Sequence, residues 1–185
     1  MRKDFGKKTI ITPLPVVMIG TYDENGVPNC MNAAWCTQCD SNQFMISLSA
    51  HKTTDNLKLK QAFTLSFATV DTIEASDYFG IESGRKVNKI EKAGFHAVRS
   101  AYVDAPLFEE YPLTLECRVV DLKDDEGDYL LIGETVNMSV DESILTDGKV
   151  DLGKLKPVMF DSAMNKYRVI GEVTADAFSC GLKFR

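Results

Sequence analysis

VVMIGTYDENGVPNCMNAAWCTQC, residues 16–39, is where the fold of this 185-residue chain is decided. VVMIGTY is a short apolar run with β-branched residues, and DENGVP carries an Asn-Gly turn signal. The next stretch, NCMNAAW, reads as the returning arm of a β-hairpin. A strand that only filled a core would carry Val and Ile. This one carries two amides, sulfur and the chain's single Trp. Alternation along a regular strand puts Asn29, Met31, Ala33 and Trp35 on one face. Cys30, Asn32, Ala34 and Cys36 take the other. Small side chains at 33 and 34 let something flat approach the backbone, and buried amides require partners. Those partners are either a flat hydrogen-bonding ligand or neighbouring loops of the chain itself.

The remainder repeats the β pattern. QFMISLS (43–49) and FTLSFAT (63–69) read as strands, with a short helix from TTDNLKLKQ (53–61) between them. Residues 72–94 hold helical pieces broken near Ser83-Gly84. LTLECRVVDL (113–122) and YLLIGETVNMSV (129–140) flank the acidic turn KDDEGD as a second hairpin, and VMF (158–160) and YRVIGEVT (167–174) complete the strands. Many strands joined by short turns, with few inserted helices, predict one mainly β domain over residues 1–185: an antiparallel barrel with small α insertions.

Composition narrows the function classes. The formal charge of −6 offers no broad electrostatic case for nucleic acid or an anionic membrane. No run approaches the roughly 20 apolar residues of a membrane span. Five cysteines, an odd number, suit a reducing compartment such as the cytoplasm better than a disulfide framework. There is no G-x-G-x-x-G, P-loop or G-x-S-x-G, and two histidines leave little for triad chemistry.

Two further segments could carry chemistry. SAHKTTDN (49–56) ends a strand and opens a helix, setting His51 and Lys52 before the helix N-terminus. Cations there oppose the helix dipole unless an anion lies between, and Ser49, Thr53, Thr54 and Asn56 add donors that suit a phosphate. The plainer alternative is a Thr cap with a solvated Lys beside it. SGRKVNKIEKAGF (83–95) gathers Arg85, Lys86, Lys89 and Lys92, either as an exposed helix or as a segment folded over an anion. Cys36-Thr37-Gln38-Cys39 is a C-x-x-C without the second ligand pair a zinc site needs; no metal site is expected.

Taken in order, PVVMIGTYDENGVPNCMNAAW, SLSAHKTTDN and SGRKVNKIEKAGF resemble the flavin-reductase-like, flavoredoxin-type family of FMN-binding split β-barrels, from about Pro13 to Gly171. The resemblance implies that Asn29, Met31, Asn32, Ala33, Ala34 and Trp35 contact FMN. It also implies that the S-x-x-K-T-x-x-N segment, here Ser49, His51, Lys52, Thr53 and Asn56, holds the phosphate. Lys89 matches a lysine near ring or phosphate, and Phe160 and Tyr167 fall in a segment that closes the site. A homodimer is implied, with NAD(P)H or a redox protein as electron donor. No catalytic side chain is implied, because the reactive atom belongs to the cofactor. Two other readings stay open: a non-catalytic barrel for flavin or haem, and a dithiol redox protein using Cys36 and Cys39.

Overall fold

The computed structural model describes residues 1–185. In chain order the first half contains β1 (Leu14–Pro15), β2 (Val17–Tyr22), β3 (Pro28–Ala33), β4 (Cys36–Gln38), β5 (Gln43–Ser49), α1 (Lys52–Lys60), β6 (Ala62–Phe67), α2 (Ile73–Ile81) and α3 (Lys89–Ala93). The second half adds β7 (Ala97–Arg99), β8 (Pro106–Phe108), β9 (Leu113–Asp125), β10 (Asp128–Val140), β11 (Leu145–Thr146), β12 (Lys149–Val150), α4 (Leu152–Leu155), β13 (Val158–Asp161) and β14 (Lys166–Val169). No helix is long and apolar enough to cross a membrane.

The main sheet is antiparallel, in the order β3-β2-β6-β9-β10-β5-β4. Its two edges, β3 and β4, are consecutive in the chain and separated only by Ala34 and Trp35. Laid flat, seven strands would put those edges about 29 Å apart, at ~4.8 Å per strand. The backbone from Ala33 to Cys36 reaches at most about 11 Å. The sheet therefore has to curl on itself, and it forms the split half-barrel that the strand pattern predicts.

The break at Ala34-Trp35 corrects the reading of residues 29–35 as one regular strand. Ala33 is the last residue paired to β2, opposite Val17. Trp35 already belongs to the other edge, its carbonyl accepting the Ser47 N–H at 2.9 Å. Alternation holds up to that point. Met31 and Ala33 face the barrel interior, while Cys30 faces the outer layer. Beyond it the faces invert, since Cys36 packs into the same interior as Met31 instead of opposite it. Trp35, expected beside Asn29 and Met31, is 61% exposed.

Two apolar layers hold the sheet. Val17, Ile19, Phe44, Ile46, Phe63 and Leu131 fill the interior, and Leu57 of α1 plugs one end. The opposite faces of β2 and β3 send Met18 and Cys30, with Val16 just before β2, into an outer layer completed by Phe79, Ile90, Phe108 and Tyr111. That outer layer is why α2, α3 and the β7–β8 hairpin pack outside the barrel.

The first hairpin forms as its sequence requires. Gly26 takes φ +74°, open to glycine, and Asp23 Oδ1 accepts from the N–H groups of Asn25 and Val27 at 3.0 and 2.9 Å. The second hairpin runs longer than read, because Lys123–Asp125 pair with Asp128–Leu130. The last strand is shorter than the expected 167–174, ending at Val169 where its partner β13 runs out at Val158.

Gly20 on β2 marks the closest approach of the β7–β8 hairpin. A Cβ there would overlap the Thr64 hydroxyl and stand 2.9 Å from the Phe108 ring and 3.0 Å from the Pro106 carbonyl. Gly20→Ala should destabilise the protein by about 1–3 kcal/mol through overpacking, measured as a lower urea midpoint with unchanged m-value.

Candidate functional site

The polar residues of β3 are tied to two helices. Asn29 is buried, and its amide donates to Thr53 Oγ1 at 3.0 Å in the first turn of α1. Asn32 donates to the Ser76 carbonyl of α2, also at 3.0 Å. Both helices therefore lean on one strand, and a polar cleft opens between their ends. Asn29, Met31 and Asn32 line one wall, His51, Lys52 and Thr53 a second, and residues 79–85 at the end of α2 a third, with Lys89 at the back. A side branch lies between Val27-Pro28 and Arg85–Ile90.

The end of α2 and the loop after it, residues 79–85, fit closely because they are bare at two points. A Cβ on Gly80 would sit 3.1 Å from Asn32 Cβ, and one on Gly84 would overlap the Asn29 amide oxygen. The end of α2 and the helix interruption read near Ser83-Gly84 thus bring bare backbone against β3. Asn88 caps α3, accepting the Glu91 N–H at 3.3 Å, and this directs Lys89 inward.

Lys89 is the least ordinary group here. It is 95% buried, and its ammonium donates to the Phe79 carbonyl at 2.7 Å without a carboxylate partner. That carbonyl belongs to the last turn of α2, where a cation is favourable. Burial still holds the lysine pKa below its ordinary value. His51 is likewise lowered, first by burial and then by the neighbouring Lys89 and Arg85 charges. The neutral imidazole is consequently favoured at pH 7.

Lys52 has a partner that the sequence did not reveal. Its ammonium pairs with Asp23 Oδ2 at 2.9 Å, so the hairpin supplies the anion that a cation at a helix start needs. Thr54 closes the first turn, with its hydroxyl bonded to the His51 N–H and carbonyl at 2.9 and 2.7 Å. Thr53 Oγ1 is buried and accepts from Asn29, which leaves its own proton free for a further acceptor. The first N–H groups of α1 also lack intrahelical acceptors.

Of the residues singled out from sequence, Asn29, Met31, Asn32, His51, Lys52, Thr53 and Lys89 converge on this cleft. The others do not. Ser49 is exposed and bonded to Asp128 at 3.3 Å across the β5–β10 pairing. Asn56 turns inward and donates to Thr21 Oγ1 at 2.9 Å. Ala33 packs against the barrel interior, and Ala34 is buried beside the strand break. Trp35 packs against Phe160 in a tilted pair with ring centroids 6.3 Å apart, and Phe160 against Tyr167 in another at 6.1 Å. This aromatic row is tied to α2 by the Tyr167 hydroxyl, which donates to Asp77 at 2.6 Å. Burial, reinforced by Asp77, pushes the Tyr167 phenol up to about 12.

Cys36 and Cys39 of the C-x-x-C are both free thiols. Cys36 and Cys39 are three residues apart along β4 and its exit, which spans about 10 Å in extended chain, beyond disulfide reach. Odd spacing also turns the two side chains to opposite faces, one against the interior and one to solvent. Burial raises the Cys36 thiol to about 11, so it carries almost no thiolate at neutral pH.

Residues 10–161 match the family described as "Flavin reductase like domain". The chain belongs to that family. It is 35% identical to the flavoredoxin of Desulfovibrio vulgaris (Miyazaki F), covering 98% of this chain and 100% of that one at a TM-score of 0.92. Flavoredoxin from Methanosarcina acetivorans is 25% identical over the whole of both chains, with a TM-score of 0.90. An uncharacterised protein of Methanothermobacter thermautotrophicus is 28% identical over 163 residues, 83% of this chain and 76% of that protein.

Asp23 was missed in the sequence because an acid next to a turn has an ordinary capping role. Burial opposes its ionisation, but the Lys52 ammonium and the two backbone N–H groups outweigh that, and its pKa falls below 3.8. A lowered folded-state value means the stabilisation is complete above 3.8 and is lost as pH falls through the folded pKa. Asp23→Asn should therefore cost about 1–3 kcal/mol at neutral pH. The gap from wild type should close in acid, as read from urea unfolding across the pH range.

Proposed function

We propose that the protein is an FMN-binding oxidoreductase, passing electrons from a reduced pyridine nucleotide or a redox protein to an acceptor through the bound flavin. One observation carries the reading. In a chain of net charge −6, a cleft beside β3 collects Lys52, Lys89 and Arg85 around an open helix start, and Asp23 and Asp55 pair only Lys52 and Arg85.

The residues present fit FMN on two counts. Gly80 and Gly84 bring backbone directly against Asn32 and Asn29, so the cleft wall is fixed before a ligand enters. A buried ammonium with no carboxylate partner suits an anionic ligand. In this reading the Thr53 hydroxyl, the Lys52 ammonium and the first N–H groups of α1 hold the phosphate. His51 stands beside them as a neutral donor. Met31 and the Asn29 and Asn32 amide oxygens face the ring, their N–H₂ groups being engaged by α1 and α2. Lys89 sets a positive field at the back of the cleft. Trp35, Phe160 and Tyr167 form an aromatic wall at the far end of the strand, where a donor or acceptor can dock. Bound FMN supplies the redox chemistry that no side chain here provides.

We assign the chain to the cytoplasm, where its five free thiols stay reduced. It acts as one domain and assembles as two copies.

Titration by fluorescence quenching tests the phosphate assignment. Lys52→Ala should weaken FMN binding by roughly 10- to 100-fold while leaving riboflavin nearly unchanged. Thr53→Ala should weaken it less, because a neutral hydroxyl contributes nearer ~1 kcal/mol. Equal losses for both ligands would sink the assignment. Colourless protein that also fails to quench added FMN would sink the function itself. Replacing both Cys36 and Cys39 with Ser should leave anaerobic reduction by NADH or NADPH intact.

A further inference from the structure

The last fifteen residues, 171–185, are exposed throughout. Their final tie to the body is the bond from the Ile170 N–H to the Pro157 carbonyl, at 3.5 Å. Beyond it the chain is not an extended strand but a folded turn. The Cys180 N–H donates to the Asp176 carbonyl at 3.2 Å, and Leu182–Phe184 form a tight helical turn. Every hydrogen bond of 176–185 stays within that segment. Its apolar side chains have nothing to pack on, since Val173, Phe178 and Phe184 each expose at least 84% of their surface. Isolated exposed hydrophobics are ordinary, but a structured turn that presents several together marks a contact surface.

The same chain has an empty place for such a turn. Leu113, Leu155 and Val158, with Leu152 at the rim, surround an apolar hollow of about 260 Å³. Through Pro13, Pro15 and Phe67 it joins a larger hollow of about 580 Å³ at the open side of the half-barrel, lined by Phe44, Leu65 and Met138. The segment carries two acids, Glu172 and Asp176, and two bases, Lys183 and Arg185, so it approaches an acidic protein without net repulsion.

We infer that the turn at 176–185 of one copy seats in the apolar hollow beside α4 and β13 of a second copy. The inference rests on the two-copy assembly named above and identifies what holds it together. Groove and segment come from one chain in equal number, and a two-fold axis satisfies both at once, each copy giving a tail and receiving one. Ile170 lines its own hollow, and the tail then leaves along residues 146–153 instead of turning back into it.

Sedimentation equilibrium of the flavin-loaded protein tests this on three chains: wild type, a chain ending at Gly171, and the full-length Phe178→Ser/Phe184→Ser double variant. Wild type should be a dimer. Both altered chains should keep the wild-type circular dichroism and dissociate, with the dimer Kd raised roughly 100-fold or more. A dimer of unchanged Kd in the double variant would overturn the tail contact and leave the assembly standing. A monomeric wild type would overturn both. Placement is read from Leu152→Cys in a background with Cys36→Ser and Cys39→Ser. Mild oxidation should give a disulfide-linked dimer that disappears when Cys180→Ser is added. No disulfide, or one within a single chain, would overturn the seating in a second copy.

Discussion

Everything in this structure follows from a short tether. Residues 28–38 supply both edges of a seven-stranded sheet, and only Ala34 and Trp35 separate them. An open twisted sheet could keep its edges apart. This one cannot, because about 11 Å of backbone has to join edges that would lie about 29 Å apart if flat. The half-barrel, its plug at Leu57 and its inner layer of Val17, Ile19, Phe63 and Leu131 are all consequences of that closure. So is the position of the cleft, since β3, as an edge strand, has no strand on its free side. The outer helices come up to it there.

The two asparagines of β3 lie on opposite faces of that edge strand, and each ties down a helix. Asn29 binds α1 and Asn32 binds α2, so one strand sets the spacing between two helices. Each amide N–H₂ is satisfied within the protein while each carbonyl oxygen stays available, which suits a strand that is both scaffold and binding wall. Gly80 and Gly84 complete the arrangement, because a Cβ at either would collide with Asn32 or Asn29. A cleft bounded by a strand, a helix start and the end of α2 is rigid on three sides. Affinity there depends on preorganised donors more than on apolar area.

Electrostatics divides the site from the rest of the molecule. The chain is acidic overall, yet Lys52, Arg85, Lys86 and Lys89 border adjoining branches of one cleft. Lys52 and Arg85 are balanced by Asp23 and Asp55, at 2.9 and 2.5 Å. Lys89 is not, and a buried ammonium held only by a helix carbonyl keeps a standing attraction for anions. Its cost is lowered by the α2 dipole, which explains how the residue stays buried without an acid beside it.

The sequence by itself determined the β class, the Asn-Gly hairpin, a helix start within one residue of Lys52 and the interruption near Ser83-Gly84. Each of these depends on local rules: period-two alternation, a glycine at positive φ, and donors at a helix N-terminus. It also marked the strand, helix start and lysine that meet in the cleft, because residue types out of place in a core are visible without coordinates. Tertiary structure alone decided the break at Ala34-Trp35, where the strand changes partners and its faces invert, since the edge it joins is remote in sequence. It turned Asn56 toward Thr21 and left Ser49 at the surface, although both lie in the segment that holds Lys52 and Thr53. It gave Lys52 its acid from a hairpin 29 residues away. Spacing along the chain shows which residues are near one another in sequence, whereas which way a side chain faces depends on what the fold packs against each side of its backbone.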